Sequence, residues 1–84
     1  MTAGIKLYRI YYNTYSDEVH RRVVEELSRR FGAEVRHRSS EVLGEFRFVE
    51  LVLPEEGREA EIAEVVKSVG EVFGVKVEWI DTTK

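Results

Sequence analysis

The spacing of apolar positions changes period several times along the chain, and each change marks an element. Residues 5–12 (IKLYRIYY) are dense in β-branched and aromatic side chains, with Asn13-Thr14 as the closing turn, and predict a strand, β1. From Ser16 the spacing becomes helical. Val19, Val23, Leu27 and Phe31, with Val24, form one stripe, while Arg21, Arg22, Glu25, Glu26, Arg29 and Arg30 surround it. Thr14 or Ser16 can cap this helix, α1 (16–31). Asp17 and Glu18 suit its positive end, Arg29 and Arg30 its negative end, and Gly32 its C-terminal turn. Residues 33–39 alternate weakly, with Val35 and His37 on one track and Glu34, Arg36 and Arg38 on the other, as expected of a charged edge strand, β2. A connection over 40–44 leads into β3 (45–53). The stretch 54–57 (PEEG) then opens a second helix, α2 (58–73), in which Ile62, Val66, Val69 and Phe73 recur at spacings of four, three and four. Gly70 weakens its last turn, Gly74 ends it, and Val75, Val77 and Trp79 alternate with Lys76 and Glu78 in β4 (75–80).

The order βαββαβ predicts an α+β domain of ferredoxin-like type: a four-stranded antiparallel sheet with β1 and β3 central and two helices on one face. β3 is apolar on both tracks, Phe46, Phe48 and Val52 on one side and Val49, Leu51 and Leu53 on the other. Two helices cover only one of them. The expected core takes Val49, Leu51 and Leu53, with Val75, Val77, Trp79, Ile5 and Leu7. The open face then carries Phe46, Phe48 and Val52 beside Tyr8, Ile10 and Tyr12, and with β1 in the opposite register Tyr11 would replace Tyr8. Glu50 is expected on the open side. Arg47 is expected on the helix side, near enough to the strand end for its guanidinium to reach water.

Length and charge narrow the classes. Eighty-four residues make one domain with one modest core. With 13 Lys+Arg against 16 Asp+Glu and a net charge of −3, binding of nucleic acid by bulk charge is disfavoured. The sign is uneven, however: nine basic and seven acidic residues run to Phe48, then four basic and nine acidic. The absence of cysteine removes disulfides, thiolate zinc sites and thiol catalysis. No apolar run approaches the length of a membrane span and no signal-peptide core is visible, so a cytoplasmic protein without membrane contact is expected. One Asn, no Gln and a charged third of the chain suggest adaptation to heat.

An apolar patch of this kind on a small domain marks an interaction surface, and the residues expected to form it are Tyr8, Tyr12, Phe46, Phe48 and Val52. Self-association or another protein is the first expected partner. Nucleic acid is the alternative, because Phe46-Arg47-Phe48-Val49-Glu50-Leu51 resembles part of the RNP1 strand of the RNA-recognition motif. The resemblance implies base stacking by Phe46 and Phe48 with Tyr8 as a partner. Glu45 and Arg47 stand where that motif has small residues, and Arg9 interrupts the apolar signature expected on β1. Phosphate contacts in that case would come from Arg36, Arg38 and Arg47. No nucleotide-binding, metalloprotease or acylphosphatase-type pattern is present, so a non-enzymatic module without cofactor or metal is expected. His20, at the margin of the α1 stripe, and His37, on β2, read as border or surface histidines.

Overall fold

A computed structural model describes residues 4–37 and 45–83. It contains β1 (Lys6–Asn13), α1 (Asp17–Phe31), β2 (Val35–His37), β3 (Phe46–Leu51), α2 (Glu59–Val69) and β4 (Phe73–Asp81). The strands form one antiparallel sheet in the order β2-β3-β1-β4, so β1 and β3 are central as expected. Val23 and Leu27 of α1 and Ile62, Val65 and Val66 of α2 join Tyr8, Ile10, Val49 and Leu51 in a single core, which places both helices on one face.

The ends of α1 follow local chemistry. Ser16 is the N-cap, its hydroxyl accepting from the Val19 amide at 3.2 Å, and Gly32 closes the C-terminus in the left-handed region at φ 57°. Glu18–Arg22 and Glu26–Arg30 pair along the helix as their spacing suggests, whereas Arg29 turns to Glu26 rather than Glu25. α2 stops four residues earlier than the apolar spacing predicts. Gly70 caps it at φ 85° and Glu71 follows at φ 59°, so the chain leaves the helix before Phe73, which becomes the first residue of β4. Gly74 therefore does not end α2. It sits at φ 65° where the β1–β4 register slips by one residue, and a Cβ there would lie 2.6 Å from the Asn13 amide nitrogen.

The β1 register is the main correction. Residues directly opposite in an antiparallel pair share a face, and Tyr8 pairs with Leu51, Ile10 with Val49 and Tyr12 with Arg47. Tyr8 and Tyr12, expected on the open face, are 0% and 1% exposed beneath the helices. The physical reason is Arg9. Its track cannot go under two helices without burying a guanidinium mid-strand, whereas Tyr8, Ile10 and Tyr12 form an uninterrupted apolar track. Leu7, assigned to the core, consequently lies on the open side, where it is buried opposite Ile80.

Candidate interaction face and a histidine–arginine pocket

The helix-free face is laid out in rows that cross the strands. In the middle, Arg36 of β2 faces Glu50 of β3, Glu50 faces Arg9 of β1, and Arg9 faces Glu78 of β4. Arg9 Nε lies 3.3 Å from Glu50 Oε2, and Arg36 also pairs along its strand with Glu34 at 3.1 Å. The charges thus alternate in sign from one edge of the sheet to the other. On one side of this row Leu7 opposes Ile80, with Val52 extending β3 alongside. On the other side Tyr11 faces both Phe48 and Lys76, its ring 5.3 Å from that of Phe48. Beyond them, Asn13 is flanked by Phe46 and Phe73, which are 51% and 50% exposed. Tyr15 packs against Phe73 with ring centroids 6.0 Å apart and gives its hydroxyl hydrogen to Glu45.

Phe46, Phe48 and Val52 therefore lie where the sequence predicts, and Tyr11 takes the place given to Tyr8. Glu50 is on the open side as expected. Arg36 lies on the open face at its β2 edge, and Arg38 is outside the described residues. Arg47 is on the helix side and cannot join the others on the open face. Its side chain is not in water but only 10% exposed: Nη1 pairs with Asp17 at 2.9 Å and Nε donates to the Thr14 carbonyl at 3.3 Å, tying β3 to the start of α1.

Arg47 also borders a cavity of about 430 Å³ that the sequence reading did not anticipate, lined by Asp17, His20, Arg21, Val24, Glu25 and His37 as well. The two imidazoles meet edge-on with centroids 5.3 Å apart. His37 reaches this side because it opposes core residue Val49, and its shared track with Val35 was the signal available in the sequence. Tyr12 Oη and His20 Nδ1 form a 2.5 Å hydrogen bond. Burial keeps the Tyr12 phenol protonated, so its hydroxyl has a hydrogen to place in this bond, with the direction set by the His20 tautomer. Burial, then the charge of Arg47 and the proximity of His37, lower the His20 pKa to about 4, with Asp17 opposing. The cavity thus holds a neutral imidazole beside a guanidinium already answered by Asp17. Among the described residues no group of three or more His, Cys, Asp or Glu is placed to hold a metal ion. No described helix is long and apolar enough to cross a membrane. Compared with family models, curated proteins and solved structures, the chain finds no match in any of the three.

Proposed function

We propose that this chain is a ferredoxin-like domain acting as a small non-enzymatic binding or assembly module, which associates with protein through the helix-free face of its sheet. The fold part of the reading is supported by the strand order and the all-antiparallel pairing. These leave β1 and β2 parallel with β3 between them, and β3 and β4 parallel with β1 between them, as two interleaved βαβ units. The observation that carries the functional part is the aromatic end of the open face, where Phe46, Phe73, Tyr11, Phe48 and Tyr15 gather beside one another with three of them half or more exposed. Aromatic side chains on a rigid strand present large apolar area at little cost in side-chain order, which suits them to anchor an interface.

Single-stranded nucleic acid is the second reading. It is favoured by a cavity of about 320 Å³ that runs between Tyr11, Phe46, Phe48 and Lys76, where a base could stack beside a cation. Glu50 and Glu78 on the same face weigh against it. Light scattering on Phe48→Ala separates the readings. Protein association predicts a mass that falls with dilution at least about tenfold sooner than in the unaltered chain. An unchanged mass with loss of binding to single-stranded RNA would assign the face to nucleic acid, and no change in either property would overturn both.

A further inference from the structure

We infer that the occupant of the open face is a second copy of this chain, stacked sheet to sheet about a two-fold axis that runs parallel to the strands between β1 and β3. This rests on the reading of that face as a protein-association surface and adds the partner and its orientation. The ground is the order of charges in the central row. From the β2 edge to the β4 edge it reads Arg36, Glu50, Arg9, Glu78, plus then minus then plus then minus. A two-fold axis along the strands turns the row end for end and lays it over itself. Arg36 then meets Glu78 of the second copy, Glu50 meets Arg9 of the second copy, and the reciprocal pairs form.

The competing in-plane axis, perpendicular to the strands, sets Arg9 over Arg9 and Glu50 over Glu50 and is repulsive. The apolar rows agree with the charges. An axis along the strands keeps each row at its own level, so that Tyr11 lies over Phe48 of the second copy and Phe46 over its Asn13 at the aromatic end, and Leu7 over its Val52 at the aliphatic end. The perpendicular axis would instead lay the aromatic end over the aliphatic end. Stacked twisted sheets cross at roughly 30°. The two pairs beside the axis therefore stay closest in register, and these are Arg9 and Glu50 on the central strands. With the 3.3 Å ion pair already present within each chain, they close a ring of four alternating charges. Such a ring costs desolvation and returns much of it only in one orientation, which makes it a device for orientation more than for affinity.

The test is sedimentation equilibrium on the unaltered chain, Glu50→Arg, Arg9→Glu, the double swap and Phe48→Ala, with circular dichroism to verify folding. Each single reversal sets like charges over each other in a homodimer, and dimer affinity should fall at least about 100-fold. The double swap reads plus, plus, minus, minus across the sheet and still meets its opposite when turned end for end, so dimerisation should return. Mixing the two single variants in equal amounts gives a fully complementary row and should form a heterodimer from two weakly associating chains. Misfolding cannot mimic that rescue. Dimers that withstand both single reversals but not Phe48→Ala would overturn the orientation and leave the face. A dimer indifferent to every substitution, or an unaltered chain that stays monomeric to millimolar concentration, would overturn the face as well.

Discussion

Tyr8 shows how a residue can look like a ligand-binding aromatic in the sequence and serve instead as a structural bolt. Its ring lies in the core beside Trp79, with centroids 4.8 Å apart, while its hydroxyl emerges at the start of α2. There it donates to the Glu55 carbonyl and accepts from the Arg58 amide at 3.1 Å, joining two backbone groups that flank the turn at Gly57. Arg58, the residue preceding α2, makes no side-chain cap hydrogen bond, and the Tyr8 hydroxyl orders that helix entry together with the ion pairs of Arg58 to Glu55 and Glu61. Tyr8→Phe keeps the ring and removes the bond, leaving a carbonyl and an amide to find water in a partly buried place. Urea denaturation should show a loss of about 1–3 kcal/mol with an unchanged m-value. Burial also raises the Tyr8 pKa, as expected of a phenol whose role is to remain protonated and donate. The mistaken assignment has a simple origin. β1 carries apolar residues on both tracks, and only the position of Arg9 distinguishes them; once Glu50 is placed on the open side, Arg9 opposite it supplies the counter-charge and decides the register.

Between elements, legibility depended on how local the signal was. α1 was readable from end to end because Ser16, Asp17, Glu18 and Gly32 act within one turn of the residues they organise. α2 was overrun because Phe73 continues its apolar spacing, while the positive φ angles at Gly70 and Glu71 redirect the chain into β4. The meeting of α1 with β2 and β3 was not readable at all, since His20, His37 and Arg47 are far apart in sequence and join only through strand register. That junction has a pH dependence. His20 faces Tyr12 from β1, His37 from β2 and Arg47 from β3, with Asp17, Arg21 and Glu25 on its own helix. Its folded pKa of about 4 lies below the ordinary 6.5, so on acidification the unfolded chain takes the proton first. The contribution is fully present above about pH 6.5 and is lost as pH falls towards 4. His20→Gln does not titrate. The stability difference between the unaltered chain and this variant should narrow by about 1–2 kcal/mol between roughly pH 7.5 and 4.5, a range discounted for the partial exposure of the site. A difference independent of pH would show that His20 titrates alike in the folded and unfolded chain, so that its surroundings in the fold do not lower its pKa.

For the whole molecule, the sequence shows that a second apolar face exists but not how it is organised, because the alternating row across four strands is assembled from residues 9, 36, 50 and 78 only when every register is known. A domain of 84 residues has a small core, here centred on Tyr8, Ile10, Val49, Leu51 and the inner faces of two helices, and its margin of stability is correspondingly thin. A partner that binds only the folded chain adds to that margin by mass action. If the partner is a second copy, the protein is its own ligand and the melting temperature must depend on its concentration. Above the dissociation constant, a tenfold increase in concentration stabilises each chain by about 0.7 kcal/mol, half the value for one binding event shared between two chains. For a domain of this size that corresponds to a rise in Tm of roughly 3–6 °C. Phe48→Ala, whose side chain lies on the open face against Tyr11, should abolish the dependence and melt at one temperature whatever the concentration. Scanning calorimetry across two decades of concentration distinguishes the cases. A concentration-dependent Tm in the unaltered chain and a fixed one in the variant would tie the stability of the fold to the face that its helices leave open. A Tm independent of concentration in both would mean that this small core is sufficient by itself.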